Sequence, residues 1–294
     1  MNDIQSKFTK VLEAHLRQRG VLKENAQWTS LEGGRTNRLW RVSRPDGDIV
    51  VKLYNVEARN PLFPNDPMSE VRALQHLAAY NLSPILLEYF QADIGSVVIY
   101  QHLEGFSWRS DCAQVATLLH RLHLTPAPRG LRQTPDGSDA LRSQVQTILS
   151  ACPTNTADEL RRLEPLDHIP ASGLKRLLHA DPVSTNIIDH AGGLTLIDWQ
   201  CPAIGDPCED IAIFLSPAMH LAYRGVALTA EEKRAFLAAY PDRAAIDRYR
   251  RLEPWYHWRM AAYCLWQGVQ GGSQAAEGYA AEVEALKETF SEQV

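Results

Sequence analysis

The spacing of the hydrophobic residues changes near residue 103, and this change restricts the folds that the chain can adopt. Before that point, short runs rich in β-branched and aromatic residues alternate with turn sequences such as RPDGD, which is typical of antiparallel hairpins. After it, most segments carry apolar residues at intervals of three and four, which indicates amphipathic helices. The sequence therefore predicts an α+β protein in which a sheet-containing lobe precedes a mostly helical lobe.

The first predicted lobe spans residues 1–103. A leading helix over residues 3–19 ends at Gly20, and a second helix is expected near 68–80. Two strands are predicted around the Gly-Gly turn of QWTSLEGGRTNRLWRVS, and three more at IVVKLY, ILLEYF and SVVIYQHL. Together these runs predict a five-stranded antiparallel sheet with one main helix.

The second predicted lobe spans residues 104–294 and is mostly helical. The connection LTPAPRGLRQTPDGSDA is rich in Pro and Gly and about 17 residues long, a length that suggests a functional or mobile loop. Helices are predicted at 112–123, 138–150, 156–165, 208–222, 229–240, 244–269 and 274–291.

Charge and cysteine usage narrow the class of protein. A net charge of −5 and a pI near 6.1 argue against a nucleic acid or an anionic membrane as the partner. The five cysteines are scattered and never spaced as C-x-x-C, which favours reduced thiols. No signal peptide is apparent, and no apolar run reaches the roughly 18 residues of a membrane span. We expect a soluble cytoplasmic protein, and the sequence leaves its oligomeric state open.

Two acids and one amide stand at the ends of apolar runs in LLHADPVSTNIIDHAGGLTLIDWQ. Asp181 and Asn186 lie in a segment that Pro182 keeps out of a helix, and Asp198 follows LTLI. A hairpin formed by the runs on either side of DHAGG would bring the three side chains together. Hard oxygen ligands without Cys or His are what Mg²⁺ prefers. Each of these residues taken alone is more typical of an ordinary turn.

The segments HADPVSTNII, LIDWQCPAIGDPCEDIA and GGRTN resemble the aminoglycoside phosphotransferase/choline kinase family. This family comprises small-molecule kinases that are related to the protein kinases in fold. The resemblance covers nearly the whole chain in order and is strongest over residues 179–212. It implies a two-lobed, protein-kinase-like fold with ATP bound between the lobes.

The resemblance also implies roles for the three residues. Asp181 would orient or deprotonate a substrate hydroxyl, and Asn186 and Asp198 would hold Mg²⁺ on the ATP phosphates. His179 would brace the loop, and Asp210 would bind backbone near it. Ala180 stands where relatives commonly carry Gly or Asn, and we expect little effect because Ala is small.

The remaining nucleotide site would come from the first lobe. By resemblance, Lys52 in DIVVKLY would contact the α- and β-phosphates and pair with Glu70. Without the other motifs, Lys52 would be interpreted as a lysine that extends to solvent from an edge strand. The other residues implied at the nucleotide belong to the glycine turn and to the hinge between the lobes: Gly33, Gly34, Thr36, Asn37, Gln101, His102 and Leu103.

The acceptor site is predicted from the segment EPWYHWRMAAYCLWQGVQ. At 100° per residue, five of its side chains fall within about one third of the helix circumference. This stripe is either part of the core or an aromatic cage for an ammonium group. It contains Trp255, Tyr256, Arg259, Tyr263 and Trp266.

Similarity to the choline kinase segment places Tyr263 and Trp266 in a choline pocket. Arg259 on the same face opposes a cationic ligand unless an acid such as Glu253 or Glu282 pairs with it. Acids late in the chain would suit a polyamine acceptor, but their mixed helical phases indicate a solvated face: Glu277, Glu282, Glu284, Glu288 and Glu292.

These observations predict an ATP- and Mg²⁺-dependent kinase acting on a hydroxyl group of a small molecule, with a choline- or ethanolamine-type amino alcohol as the first candidate. Thiamine, or an aminoglycoside or sugar, is the alternative acceptor. A regulatory, nucleotide-binding pseudokinase is the alternative of another class, although the presence of Lys52, Asp181, Asn186 and Asp198 argues against it.

Overall fold

The structure is a computed structural model that describes residues 2–23, 26–31, 36–55, 57, 59–272 and 274–291. The chain divides into two compact units. Unit 1 contains residues 1–60 and 65–104, and unit 2 contains residues 61–64 and 105–294. The division after residue 104 lies one residue beyond the predicted one, and the short segment 61–64 groups with unit 2.

Unit 1 contains the predicted five-stranded antiparallel sheet, with strand order β1-β2-β3-β5-β4. Leu12 and Leu16 of the leading helix pack with sheet residues such as Val51 and Ile99 in one apolar core. All five residues of the central strand β3 are buried, and neighbouring strands pair with it on both sides. The elements of the unit are α1 (Asn2–Gln18), β1 (Gln27–Ser30), β2 (Arg38–Ser43), β3 (Ile49–Leu53), α2 (Pro67–Leu77), β4 (Leu86–Ala92) and β5 (Gly95–Gln101).

Unit 2 is mostly helical and also contains two small sheets, with strand orders β10-β9-β6 and β7-β11-β8. The second of these sheets was not expected from the sequence. Its strands are β7 (Arg132–Gln133), β8 (Arg176–Leu178) and β11 (Ala203–Gly205), and the strands of the first sheet are β6 (Phe106–Ser107), β9 (Ile187–His190) and β10 (Gly193–Leu196). The helices are α3 (Cys112–Leu124), α4 (Ser138–Ser150), α5 (Asn155–Arg161), α6 (Cys208–Leu215), α7 (Pro217–Arg224), α8 (Ala230–Ala239), α9 (Arg243–Val269) and α10 (Ala275–Ser291).

The single helix predicted over 208–222 is wrong, because two helices, α6 and α7, occupy this region. Ser216 between them has extended backbone, with φ −62° and ψ 122°. Its hydroxyl accepts a hydrogen bond from the N–H of Met219 and so caps α7. Pro217 has no N–H to continue α6 but is well suited to the first turn of a new helix.

The Pro/Gly-rich connection before α4 is anchored at two places. Strand β7 within it pairs with β11, and Asp136 binds a second loop. The Asp136 carboxylate accepts hydrogen bonds from the N–H groups of Ser172 and Gly173, both at 2.8 Å. Arg248 of α9 completes the site with an ion pair to Asp136 at 3.0 Å. These contacts do not support the mobile loop that its composition suggested.

Helix α9 is 27 residues long and carries the aromatic stripe. Asp242 caps its N-terminus by accepting a hydrogen bond from the N–H of Ala245 at 3.1 Å. The segment from Pro254 to Cys264 is buried throughout. Among the described residues, no helix, α9 included, combines the length and apolarity needed to cross a membrane.

Candidate active site

The loop that carries Asp181 follows strand β8 and ends in a short 3₁₀ turn at Ser184–Asn186. Strand β8 is fixed by β11, with Leu178 opposite Ala203. The amide nitrogen of Asn186 donates hydrogen bonds to the backbone oxygen of Asp181 at 3.0 Å and to its Oδ2 at 3.4 Å. The sequence interval of five residues is thus closed into a compact loop. Because the amide nitrogen faces Asp181, Oδ1 of Asn186 is the atom suited to a cation.

The predicted hairpin places Asp198 next to this loop. Strands β9 and β10 pair with Ile187 opposite Leu196, and the N–H of Ile197 donates to the carbonyl of Asn186 at 2.9 Å. Asn186 and Asp198 therefore lie at the same end of the hairpin. Asp198 is half-buried and has φ +60°.

The donor set at this end of the hairpin fits Mg²⁺. It consists of an amide oxygen from Asn186 and a carboxylate from Asp198, both hard ligands. Mg²⁺ in nucleotide sites commonly takes one or two protein oxygens and completes its shell with phosphate oxygens and water. These two residues would hold the ion.

His179 connects the two halves of this region. Its Nε2 lies 2.9 Å from the carbonyl of Ile197, and its Nδ1 accepts a hydrogen bond from the N–H of Asp181 at 3.3 Å. Nε2 therefore carries the proton. Burial lowers the pKa of His179, although the charge of Asp210 acts in the opposite direction. A neutral, wholly buried imidazole with both nitrogens engaged is suited to bracing the loop.

Asp210 holds the backbone before Asp181, which is where the sequence placed its role. The wholly buried carboxylate accepts from the N–H of His179 at 2.9 Å and from the N–H of Ala180 at 2.7 Å. Ala180 has φ +61°, a left-handed conformation that costs an L-residue about 1 kcal/mol or more and suits Gly. The expectation that Ala at this position matters little was therefore wrong, and the bonds to Asp210 oppose the strain.

Lys52 and Glu70 form a buried ion pair in unit 1. Lys52 Nζ lies 2.8 Å from Glu70 Oε2, and both side chains are fully buried. The hydroxyl of Tyr54 donates to the same carboxylate oxygen. Because Lys52 lies on β3 between β2 and β5, it is not an edge-strand lysine that extends to solvent. The pairing with Glu70 is the one that the sequence predicts.

Two residues of the predicted glycine turn, Gly33 and Gly34, lie outside the described residues. Thr36 is half-buried and Asn37 is buried. The Asn37 amide exchanges two hydrogen bonds with the amide of Asn65, at 2.8 and 2.9 Å. Its side chain therefore ties the start of β2 to the segment that precedes α2.

The hinge residues follow β5 in unit 1. The N–H of Gln101 donates to the carbonyl of Ile85 at 2.9 Å, and the N–H of His102 donates to that of Asp48 at 3.0 Å. Within the part of the chain that the structure describes, the N–H of Leu103 has no acceptor. This N–H is therefore available to an external acceptor.

The two aromatic residues expected at the acceptor lie together in unit 2. The rings of Tyr263 and Trp266 stack with centroids 5.8 Å apart and planes at 17°. Phe63 from the segment 61–64 contacts Tyr263 edge-on, with centroids 5.2 Å apart and planes at 75°. We call these three residues the aromatic group. Nothing in the sequence near Phe63 indicated this contact, because 200 residues separate it from Tyr263.

Trp255 and Arg259 lie in the interior of unit 2 and away from solvent. Trp255 is fully buried, and its indole N–H donates to the carbonyl of Asp167 at 3.1 Å. Arg259 is 1% exposed and makes two hydrogen bonds of 2.8 Å to Glu209. Its guanidinium also lies 4.9 Å from the ring centroid of Tyr256. Both side chains thus pack in the interior of unit 2, whereas the sequence predicted them at the acceptor site.

The two acids considered as partners of Arg259 contact His257 instead. Nδ1 of His257 lies 2.6 Å from Glu282, and Nε2 lies 3.8 Å from Glu253. Glu282 is fully buried and also accepts from the N–H of Ala218 at 3.1 Å and from the hydroxyl of Ser216. The prediction that Glu282 belongs to a solvated face is wrong, because it joins α10 to the start of α7.

Comparison with known proteins decides the family. Residues 27–255 match the sequence model of the phosphotransferase enzyme family. The chain belongs to this family. The resemblance found in the sequence is therefore confirmed, and the chain is a phosphotransferase. No curated protein sequence gave a match.

Solved structures confirm the protein-kinase-like fold. Choline kinase from Cryptosporidium parvum has a TM-score of 0.68 at 14% identity, with 97% of both chains covered. A thermostable mutant of aminoglycoside phosphotransferase APH(4)-Ia, in complex with ADP and hygromycin B, has a TM-score of 0.65 at 17% identity, covering 94% of this chain and 97% of that one. A choline/ethanolamine kinase family protein from Mesorhizobium loti has a TM-score of 0.62 at 16% identity, with 88% of both chains covered.

Proposed function

We propose that the protein is an ATP- and Mg²⁺-dependent kinase that phosphorylates a hydroxyl group of a choline- or ethanolamine-type amino alcohol. The kinase assignment rests on the geometry of one loop. Asn186 donates a hydrogen bond to Asp181, and the backbone contact between Ile197 and Asn186 brings Asp198 next to this loop. It presents one carboxylate for an acceptor hydroxyl and two oxygen ligands for a metal. Family membership supports the same reaction class.

We assign each of these polar residues a task in the transfer. Asp181 orients the acceptor hydroxyl and takes its proton as the new oxygen–phosphorus bond forms and the bond from the γ-phosphorus to ADP breaks. Lys52, oriented by Glu70, binds phosphate oxygens. Bound Mg²⁺, held by Asn186 and Asp198, would neutralise charge on the phosphate oxygens. The complex of APH(4)-Ia with ADP supports an adenine nucleotide as the donor.

The aromatic group supports a cationic acceptor. Faces of Trp and Tyr attract ammonium groups, and Trp266 remains half-buried at the edge of its stack with Tyr263. Arg259 does not oppose a cation, because Glu209 neutralises it in the interior. The similarity to a choline kinase favours the same class of acceptor. Thiamine, aminoglycosides and sugars remain the competing acceptors, and hygromycin B is the ligand of one structural neighbour.

The five cysteines support a reducing compartment. All five are buried thiols among the described residues: Cys112, Cys152, Cys201, Cys208 and Cys264. Unpaired buried thiols are typical of proteins in reducing compartments. On this basis we propose a cytoplasmic location.

The experiment is an ADP-release assay with Mg·ATP and a panel of choline, ethanolamine, thiamine, aminoglycosides and sugars. We expect choline or ethanolamine to give the highest kcat/KM. Trp266→Ala should then raise the KM for choline about tenfold through loss of the cation–π contact, with the KM for ATP unchanged. Val269→Ala, at an exposed position of the same helix, is the matched control and should change neither constant.

Three results would count against the proposal. Absence of ADP release with every hydroxyl compound removes the kinase assignment. Preference for an uncharged sugar removes the cationic acceptor. A loss of ATP binding in Trp266→Ala, without a change in the choline KM, assigns the aromatic group to the core.

A further inference from the structure

A second layer of hydrogen bonds lies behind the loop of Asp181, within unit 2. Tyr240, the C-cap residue of α8, places its hydroxyl 2.7 Å from Nδ1 of His123 on α3. Nε2 of His123 lies 3.0 Å from Oδ2 of Asp210. Asp210 in turn binds the N–H groups of His179 and Ala180. The chain of contacts thus runs from the end of α8 to the residue directly before Asp181.

With a neutral His123, one assignment of donors satisfies every hydrogen bond in this chain. Three N–H groups point at the Asp210 carboxylate, which accepts from each of them, so Nε2 of His123 carries the proton. In that tautomer Nδ1 of His123 accepts, and the Tyr240 hydroxyl donates to it. Burial raises the pKa of Tyr240, which keeps this hydroxyl protonated. Loss of the Tyr240 hydroxyl would leave Nδ1 of His123 without its donor.

The Asp210 carboxylate must be held at a set angle, because it restrains a strained turn. Ala180 keeps φ +61° while its N–H donates to Oδ1 of Asp210 at 2.7 Å. A rotation of the carboxylate would weaken this bond and allow the turn to relax toward ordinary backbone angles. Asp181 would move with it. Displacements of about 1 Å at a reacting group can cost a hundredfold in rate.

We propose that His123 and the hydroxyl of Tyr240 are positioning residues for phosphoryl transfer, acting on Asp181 through Asp210. The inference rests on the proposed role of Asp181. Both residues are buried. The ring of Tyr240 packs separately against His120 and Phe236, with centroid distances of 5.2 and 6.3 Å. The ring and the hydroxyl can therefore be tested apart.

The test measures ADP release from Mg·ATP, both with choline and with water as the only acceptor, in Tyr240→Phe. We expect kcat to fall about tenfold while the KM for ATP is unchanged. Tyr249→Phe is the matched control, because it also removes a buried hydroxyl, one that donates to Glu253 at 3.2 Å. It should lower the melting temperature by a similar amount without changing kcat.

Further variants separate this inference from the function on which it rests. His123→Ala should lower kcat about a hundredfold, and adding Tyr240→Phe to it should have no further effect. A wild-type kcat in Tyr240→Phe, or an equal loss in Tyr249→Phe, would overturn the positioning role. If Asp181→Asn leaves ADP release intact, the proposed function of Asp181 fails. If Asp181→Asn abolishes release while Tyr240→Phe has no effect, only the positioning role fails.

Discussion

Replacement of Arg259 distinguishes a buried structural cation from a residue of the acceptor site. The side chain is 1% exposed, and its partner Glu209 is 6% exposed. Two hydrogen bonds of 2.8 Å join them, and the guanidinium also lies against the ring of Tyr256. The variant Arg259→Met keeps much of the side-chain volume but removes the charge. It leaves the Glu209 carboxylate buried without its partner.

The magnitude follows from the cost of that carboxylate. Breaking a buried, hydrogen-bonded pair by removal of one partner costs about 3–5 kcal/mol of unfolding free energy. Loss of the contact with Tyr256 adds about 0.5–2 kcal/mol, so the upper part of the range is expected. In the double variant Arg259→Met/Glu209→Leu no uncompensated charge remains. Its cost should fall to about 0.5–2 kcal/mol, which is the loss of the contact with Tyr256.

Urea unfolding of the wild type, both single variants and the double variant measures these differences as shifts of the midpoint at constant m-value. Because each single variant leaves a buried charge without its partner, the double variant should be more stable than either of them, and the coupling energy between the two side chains should exceed about 3 kcal/mol. The choline KM of the folded Arg259→Met protein should stay at the wild-type value. A cost below about 1 kcal/mol together with a raised choline KM would refute the structural assignment.

Two further predictions concern pH and the anchored connection. Burial alone would lower the pKa of His257, but its contacts with Glu253 and Glu282 raise the pKa to about 9 from the ordinary 6.5. Protonated His257 therefore contributes about 3 kcal/mol to the free energy of unfolding below pH 6.5, and this contribution is lost as the pH rises to 9. The urea midpoint of the wild type should fall over this interval, and the midpoint of His257→Gln should fall less. Parallel curves of midpoint against pH for the two proteins would contradict this prediction. Asp136→Ala removes the acceptor for Ser172, Gly173 and Arg248. Limited proteolysis should therefore cut the connection of residues 124–140 faster in this variant than in the wild type. Unchanged cleavage would show that the pairing of β7 with β11 is enough to hold the connection in place.

The features that sequence reasoning reached are those that depend on short stretches of chain. Strand and helix periods predict the sheet of unit 1, and the resemblance to the phosphotransferase family implies the pairing of Lys52 with Glu70. The hairpin beside Asp198 could be predicted because its two strands are separated by only a tight turn. The break before Pro217 was also readable, since Pro cannot continue a helix, but the apolar pattern on both sides obscured it.

The features that it missed depend on contacts between distant segments. The rings of Phe63 and Tyr263 are in contact although 200 residues separate them in the sequence, and the hydrogen bond between His123 and Tyr240 joins residues that are 117 positions apart. The sequence suggested Glu253 or Glu282 as the partner of Arg259. In the structure, the packing of α6 against α9 brings Glu209 to Arg259 instead. Strands of two or three residues, such as β7 and β11, have too little pattern to be recognised. Left-handed Ala180 gives no sign in sequence, because Ala is rarely found there.

The central claim is that Asp181 serves the transfer of the γ-phosphate from Mg·ATP to a small-molecule hydroxyl. The most direct measurement is the rate of phosphate ester formation, with choline as the first acceptor, for the wild type and Asp181→Asn. We expect ester formation by the wild type and a loss of about a thousandfold in the variant, with the affinity for ATP retained. Equal rates in the two proteins, or no ester with any hydroxyl compound, would contradict it.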